Sequence, residues 1–191
     1  MSVLENKWDR VHRDADYSQV VASDVLIQNR HLLPRTGKAV DLACGLGGNA
    51  IELAQASLTT HAWDSSQVAL AQLDQHAHDT QLTIKTQQRD IERHPPEAHL
   101  FDVVVVSHFL HRPTFPALIN SLKSGGVLYY QTFTGIKVNS IGPSNPDYLL
   151  AQNELLHLCS GLQILHYREE GRQGNERCGW RNQAMIVAKK P

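Results

Sequence analysis

The sequence predicts an α/β protein with three layers, in which a mostly parallel seven-stranded sheet carries helices on both faces. From residue 39 onward, apolar runs of strand length alternate with segments of helical spacing, which is typical of parallel sheets. The stretch 101–107 is continuously apolar in its centre, as expected of a middle strand buried on both faces. The last two strands are joined by a loop without a helix, so the last strand is expected to be antiparallel.

The length of 191 residues predicts a single domain with one core. Residues 1–35 place their apolar side chains at a loosely helical spacing that ends at Pro34 and Gly37. This part is expected to form one or two helices that pack on the domain as a cap, and residues 36–191 are expected to form the core.

The elements predicted in the core follow from hydrophobic periodicity and from glycine and proline positions. The helix at 66–79 has an apolar inner face, and the helix at 114–122 is expected to end at Lys123 and the two glycines that follow. The polar segment 134–147 is long for a connection and is expected to serve as a lid. In order, the predicted elements are strands at 39–43, 60–63, 82–87, 101–107, 127–133, 163–168 and 183–188, with helices at 48–56, 66–79, 114–122 and 148–159.

Composition and charge exclude several classes of function. The chain has 18 Lys and Arg against 19 Asp and Glu, without a basic stripe, so neither nucleic acid nor an anionic membrane is an expected partner. No apolar run is long enough to cross a bilayer, and the N-terminus lacks a signal-peptide pattern. Three cysteines without metal-type spacing argue against a disulfide framework, so a cytoplasmic location is expected.

A glycine-rich turn follows the first predicted strand and opens into the first core helix. Gly45 and Gly47 lie in this turn, where a Cβ would keep a ligand away from the backbone. A strand, a tight turn and a helix present backbone N–H groups and a positive helix N-terminus at the edge of a sheet. The turn therefore predicts a binding site for a nucleoside-type cofactor.

Two acidic residues at the ends of the next strands narrow the choice of cofactor. Asp64 lies 19 positions after Gly45, where a carboxylate can accept both ribose hydroxyls, and Asp90 can accept from an exocyclic amine of adenine. A nicotinamide dinucleotide also requires the first acid. However, position 50, where the dinucleotide pattern has its third glycine, is Ala50.

With these residues the chain resembles a class I S-adenosylmethionine-dependent methyltransferase, and the resemblance covers nearly its whole length. It implies a Rossmann-like sheet, S-adenosylmethionine as cofactor and S-adenosylhomocysteine as product. Asp41 and the glycine turn would hold the methionine part, Asp64 the ribose and Asp90 the adenine. The expected cofactor-binding residues are Trp8, Arg13, Asp41, Ala43, Cys44, Gly45, Gly47, Asn49, Asp64, Ser65, Asp90, Ile91, Ser107 and His108.

One departure from the family pattern points to a branch. Asn49 stands where many members have a third loop glycine, and this variant of the motif is similar to the tellurite-resistance methyltransferase branch. Trp63 before Asp64, and the segment from Lys7 to Tyr17, resemble that branch as well. In the branch this N-terminal segment covers the cofactor.

His108 and His111 follow the fourth predicted strand, where this fold places groups that face the substrate. Either imidazole could take a proton from an attacking O–H or N–H group, and the two are the candidate catalytic residues. A structural role, with His108 packed on the cofactor and His111 at the surface, is the alternative. The pair lacks further ligands at suitable spacing, so no metal site is expected.

The function expected from these residues is methyl transfer to a small-molecule acceptor. A soft nucleophile such as a thiol or a chalcogen oxyanion fits the weak sequence evidence for a general base. Two alternatives stay open: a nicotinamide-dependent oxidoreductase, and a non-catalytic protein that binds S-adenosylmethionine or S-adenosylhomocysteine. A monomer or a homodimer is expected.

Overall fold

The computed structural model describes residues 7–191, which form six α-helices and seven strands. Two one-turn 3-10 helices, Tyr17–Gln19 and Arg30–Leu32, lie in the N-terminal cap. The helices are α1 (Lys7–Arg13), α2 (Asp24–Gln28), α3 (Gly48–Gln55), α4 (Gln67–Asp79), α5 (Phe115–Ser121) and α6 (Glu154–Leu158). The strands are β1 (Lys38–Leu42), β2 (Thr59–Asp64), β3 (Ile84–Gln88), β4 (Phe101–Ser107), β5 (Leu122–Phe133), β6 (Gln163–Glu169) and β7 (Gln183–Lys189).

The seven strands form one sheet in the order β3-β2-β1-β4-β5-β7-β6. The first five strands are parallel to one another, whereas β7 is antiparallel to both β5 and β6. The expected fold class, including the reversed last strand, is therefore confirmed. The strand order reverses between β1 and β4, and in open α/β sheets ligands bind beyond the carboxyl ends of the strands at such a point.

Side chains on the two faces of the sheet form separate apolar clusters. On one face Val104, Val106 and Tyr130 pack with Phe115 and Leu118 of α5. On the other face Val103, Val105 and Tyr129 pack with side chains of α2 and α3, and α4 lies beside α3 on this face through Leu73. Successive side chains of β4 point to opposite faces of the sheet and so contribute to both clusters, as expected of a central strand that is buried on both faces.

Two predicted elements differ from the structure. The helix expected at 148–159 is present only as α6, because the backbone at Leu150 is extended and pairs with residues beyond β5: Leu150 N donates to Phe133 O at 2.9 Å. In addition, the guanidinium of Arg112 donates to the carbonyl oxygens of Asp147 and Leu149, at 2.7 and 2.9 Å. In a helix these oxygens would accept from backbone N–H groups instead. These competing hydrogen bonds replace the first turns of the predicted helix.

The second difference is at the start of β5. The segment after α5 was expected to be a turn leading to a strand at 127, but the strand begins at Leu122. Gly125 N donates to Lys190 O at 2.9 Å, and Lys190 N donates to Gly126 O at 2.8 Å. Pairing with the chain after β7 therefore extends this segment, and the register shift between Phe101 and Val103 accommodates it.

The cap that was expected at 1–35 packs on the helical face that carries α3 and α4. Its first six residues lie outside the described part of the chain. Val25 and Leu26 of α2 are fully buried against the sheet, and Asp9 of α1 accepts a 2.7 Å hydrogen bond from the hydroxyl of Ser66, immediately before α4. Elements of the cap thus reach the same edge of the sheet as the glycine-rich turn.

Candidate functional site

The turn between β1 and α3 lies at the point where the strand order reverses. Its backbone enters the left-handed region at Ala43, Gly45 and Gly47, with φ of 52°, 52° and 81°. At position 47 a Cβ would lie 2.5 Å from a methyl carbon of Leu73, so both the backbone and the packing require glycine. Helix α3 begins directly after this turn, and in its first turn Ala50 N donates to Asp41 Oδ2 at 3.1 Å.

Asp64, at the end of β2, is bound to the turn by its carboxylate. Its Oδ2 accepts from Gly45 N at 2.8 Å, and its Oδ1 accepts from Ser66 N at 2.8 Å. A carboxylate oxygen can accept more than one hydrogen bond, so both oxygens retain capacity for ribose hydroxyls. The structure therefore brings together Gly45 and Asp64, the two residues whose spacing in the sequence predicts the cofactor site.

Asp41 lies below the turn. Its side chain is fully buried, and its carboxylate accepts from Ala50 N at 3.1 Å and from the Asn49 amide at 3.3 Å. Burial raises the pKa of Asp41 to about 7, although these two hydrogen bonds act in the opposite direction. In this arrangement Asp41 anchors the start of α3 and supports the turn from beneath.

Asn49 connects three parts of the site. Its side-chain oxygen accepts from both the backbone N and the hydroxyl of Ser23, each at 2.8 Å, and its amide donates to Asp41 and to the hydroxyl of Ser107 at 3.0 Å. The side chain is 4% exposed. Its polar atoms thus bind the protein itself, joining the cap to the ends of β1 and β4.

The residues expected around the adenine end the two outer parallel strands. Asp90 follows β3, and its Oδ1 accepts from Glu92 N at 3.0 Å while its Oδ2 lies 3.5 Å from Arg93 Nε. Ile91 is buried in the core, and Ser65 lies between Asp64 and the start of α4. The Asp90 carboxylate is partly exposed and remains accessible to a ligand at this edge.

Helix α1 covers the turn from the solvent side. A Cβ on Gly45 would lie 3.3 Å from the ring of His12, and Tyr17 donates its hydroxyl to Leu46 O at 3.0 Å. Trp8 is 47% exposed and Arg13 is exposed, so these two expected binding residues lie at the outer side of the cap. His12 was not among the residues expected from sequence, and only the placement of the helix reveals its position.

Cys44 lies within the turn but is not set up as a nucleophile. Burial raises the pKa of its thiol well above the ordinary range, and nearby Asp41 and Asp64 act in the same direction. Its Sγ lies 3.5 Å from Gly45 O. A neutral thiol is a weak nucleophile, so Cys44 acts here as a small lining residue.

The two candidate catalytic histidines have different surroundings. His108 has φ of 56°, its backbone N donates to Gln131 O at 2.8 Å, and its Nε2 lies 3.1 Å from the side-chain oxygen of Gln183. Desolvation lowers the pKa of His108. His111 instead faces away toward Thr114, with its Nδ1 2.5 Å from the hydroxyl, and toward Glu92. Of the two, His108 lies at the end of β4 beside the reversal point.

Polar loops complete this edge of the sheet. Val138 N, within the segment expected to be a lid, donates to the side-chain oxygen of Asn182 at 2.8 Å. Arg181 donates to four carbonyl oxygens of the loop that precedes β7, those of Gly171, Gln173, Asn175 and Cys178. The two loops are therefore joined to each other beyond the end of β5.

In residues 7–191, no group of three His, Cys, Asp or Glu side chains is placed to hold a metal ion. All three cysteines lie in this part of the chain and are unbonded to one another. None of the helices described for the protein is both long and apolar enough to cross a membrane.

Comparisons with known proteins agree with this geometry. A family model described as a methyltransferase domain matches residues 39–126, which span β1 to the start of β5. The chain is 27% identical over 139 residues, 69% of its length, to a probable S-adenosyl-L-methionine-dependent methyltransferase, TehB, of Haemophilus influenzae. It spans about half (48%) of the length of that curated relative.

Solved structures share the fold across almost the whole chain. The crystal structure of TehB from Haemophilus influenzae aligns with a TM-score of 0.70 and 22% identity, over 96% of this chain and 67% of that one. An S-adenosylmethionine-dependent methyltransferase from Mesorhizobium loti aligns with a TM-score of 0.69 and 18% identity, over 92% of this chain and 100% of that one. The family model and the curated relative support the resemblance to methyltransferases, and the solved structures show that the chain shares their fold.

Proposed function

We propose that this chain, whose residues 39–126 match a methyltransferase domain, transfers a methyl group from S-adenosylmethionine to a small-molecule acceptor with a soft nucleophile, a thiol or a chalcogen oxyanion. The observation that carries the proposal is the contact between Gly45 N and Asp64 Oδ2 at 2.8 Å, at the point of strand reversal. Through this contact the Asp64 carboxylate, which we propose as the ribose-binding group, lies directly against the glycine-rich turn.

We assign a group on this edge to each part of the cofactor. The Asp64 carboxylate would accept from the ribose hydroxyls, and Asp90 would accept from the adenine amine. The turn at 43–47 would lie along the methionine part, with α1 above it. S-adenosylmethionine supplies a methyl group on a positively charged sulfur, so the main tasks of the protein are to orient the acceptor and to exclude water.

The surroundings of the site favour a small acceptor over a macromolecule. The loops joined by Val138 and Asn182 lie beyond the end of β5, and α1 lies over the glycine-rich turn, so both flank the proposed site. The charge of the chain is nearly balanced, so it offers no strong attraction to a nucleic acid or an anionic membrane. We propose accordingly that neither is a partner, and that the protein acts in the cytoplasm as a monomer or homodimer.

Calorimetric titration tests the cofactor assignment. We expect S-adenosylmethionine to bind the wild type, and Asp64→Ala to weaken binding by at least tenfold. Asp79→Ala, a change of the same type at the exposed end of α4, should bind like the wild type. Failure of the wild type to bind would overturn the proposal, and equal binding by all three proteins would remove Asp64 from the site.

A panel of acceptors tests the reaction. Formation of S-adenosylhomocysteine is followed by mass spectrometry with thiols, chalcogen oxyanions, phenols and amines. Turnover confined to the soft nucleophiles supports the proposal, whereas turnover of phenols or amines alone refutes the acceptor class. Binding without any turnover favours the non-catalytic alternative, and binding of NAD or NADP in place of S-adenosylmethionine favours the oxidoreductase.

A further inference from the structure

We propose that Gln131 and Gln183 fix His108 as the tautomer with its proton on Nε2, and that the free Nδ1 accepts the proton of an acceptor that arrives protonated, such as a thiol. The inference rests on the proposed function for its chemical part. Its structural part, the tautomer, follows from a chain of hydrogen bonds that starts at a backbone amide.

The chain begins in the cap. Val25 N, in the first turn of α2, donates to the side-chain oxygen of Gln131 at 2.8 Å. A backbone N–H can only donate, so this contact identifies the oxygen end of a side chain that is otherwise ambiguous. Gln131 is 2% exposed, and its amide nitrogen must therefore lie on the opposite side.

The second contact fixes Gln183, at the start of β7. The Gln131 amide nitrogen lies 2.9 Å from the side-chain oxygen of Gln183. Turning the Gln183 amide over would place two N–H donors against each other. Gln183 therefore presents its oxygen, and the same oxygen lies 3.1 Å from His108 Nε2.

The third contact fixes the imidazole. Because its partner is an oxygen that can only accept, Nε2 must carry a proton. In a neutral ring Nδ1 then has a free lone pair, and it makes no hydrogen bond to any described residue. Desolvation lowers the pKa of His108, and this effect outweighs the hydrogen bond to Gln183 and the charge of Asp24, which both raise it.

The position of His108 is also constrained. Its φ of 56° is a left-handed conformation that is uncommon for a residue with a side chain, and such conformations cluster at functional sites. Its ring packs at 5.0 Å from the ring of Phe133, at the end of β5. The imidazole is thus held from two sides, by an aromatic contact and by a hydrogen bond at Nε2.

The proposed proton transfer balances as follows. The attacking atom of the acceptor gives its proton to Nδ1 and uses its electron pair to form the bond to the methyl carbon. The electrons of the broken carbon–sulfur bond return to sulfur, which becomes a neutral thioether. The imidazolium then releases its proton to water. An acceptor that arrives as an anion has no proton to give up. Methyl transfer to a protonated acceptor should therefore depend on His108, whereas transfer to an anion should not.

Nitrogen-15 NMR of the imidazole rings tests the tautomer without cofactor or acceptor. In the wild type at pH 8 we expect a protonated Nε2 and an unprotonated Nδ1 at His108, with the resonances assigned by their loss in His108→Gln. Gln183→Leu should give a mixture of tautomers, and Gln183→Glu should keep the Nε2–H form and raise the pKa of His108. Gln163→Leu, at the exposed start of β6, should match the wild type.

Kinetics test the role of Nδ1. With a thiol acceptor below the thiol pKa, we expect His108→Gln to lower kcat by about 10²- to 10⁴-fold, as is usual for the loss of a general base. The KM for S-adenosylmethionine should change little, and Gln183→Leu should also lower kcat while Gln183→Glu restores part of it. With an anionic acceptor the loss should be below about tenfold.

The outcomes separate the two proposals. An Nδ1–H form in the wild type, or a spectrum that Gln183→Leu leaves unchanged, overturns the hydrogen-bond chain. An equal kcat of wild type and His108→Gln with a thiol overturns the base. If the wild type fails to bind S-adenosylmethionine, both the proposed function and the role of His108 as a base are overturned. The tautomer of His108 is decided by the NMR spectrum alone.

Discussion

Asp41 illustrates how the protonation of a single side chain can make the stability of the fold depend on pH. Its carboxyl has no exposed surface, and burial raises its pKa to about 7. The folded protein therefore holds this proton more tightly than the unfolded chain, where the pKa of an aspartate is about 3.9. The stabilisation is fully present below that value and is lost as the pH rises through about 7.

We expect the free energy of unfolding to fall between pH 4 and pH 8 by more in the wild type than in Asp41→Asn. The difference should amount to about 4 kcal/mol at most, since one pKa unit corresponds to about 1.4 kcal/mol. Chemical denaturation of both proteins at each pH measures it, and the difference between them removes the contribution of other groups. A wild type whose stability changes with pH no more than that of the variant would contradict the raised pKa.

At the scale of single residues, what could be predicted depends on whether a signal lies near in sequence. Asp64 is found from its spacing to Gly45 because the carboxyl ends of parallel strands meet at one edge. The shared contacts of Asn49 could not be predicted, because Ser23 and Ser107 are 26 and 58 positions away from it. Gln183 was missed as well, since an isolated glutamine at the start of a strand has no pattern.

Asn49 also defines a joint between elements. It lies in the first turn of α3, and its side chain connects the residue before α2 with the ends of β1 and β4. At the same joint a Cβ on Gly48 would lie 2.2 Å from Val21 O, so the backbone of the cap passes directly over the start of α3. The cap is thus packed against the turn that would hold the cofactor.

Removing this joint should loosen the cap. We expect Asn49→Ala to lower the free energy of unfolding by about 2–4 kcal/mol, because it removes hydrogen bonds from buried Asp41 and from partly buried Ser23 and Ser107. Amide exchange of residues 20–28 should accelerate more than that of β4. Asn120→Ala, an exposed asparagine in α5, is the matched control. If Asn49→Ala lowered the free energy of unfolding by less than about 0.5 kcal/mol, or accelerated amide exchange equally in β4, Asn49 would not hold the cap against the turn.

Elements were predictable where one local signal dominated. The bounds of β4 agree because its apolar run, Val103–Val106, lies between Asp102 and Ser107. Helix α4 begins directly after Ser66, whose hydroxyl accepts from Ala69 N at 3.1 Å. The helix expected at 148–159 failed because Arg112, 42 positions from Glu154, binds this segment and takes its carbonyl oxygens. Local helical spacing cannot reveal such a distant competitor.

For the molecule as a whole, binding should be visible as increased stability. A ligand present at 100 times its Kd stabilises the folded state by about 2.7 kcal/mol. For a domain of this size, each kcal/mol shifts Tm by about 2–4 °C, so S-adenosylmethionine should raise Tm by about 5–10 °C. Calorimetric melting with NAD at the same concentration is the control, and a shift with NAD alone would instead support the oxidoreductase.

The whole fold was more predictable than its site. The strand directions depend on the alternation of strands and helices along the chain and on the helix-free connection before β7, both of which are visible in the sequence. Site geometry depends on side chains that the fold brings together from distant segments, such as His12 over Gly45. Sequence therefore indicates the edge at which the ligand binds, but the partners of each polar atom require the structure.

The hydrogen bond between Val25 and Gln131 has a consequence for biosynthesis. Its partners are 106 residues apart, and the next contact requires Gln183, at the start of β7. A ribosome-bound fragment that ends before β7 lacks the last member of this network, even when β1 to β5 have emerged. His108 can thus reach its final state only after β7 has been synthesised, so a product that terminates before β7 would lack the arrangement described here.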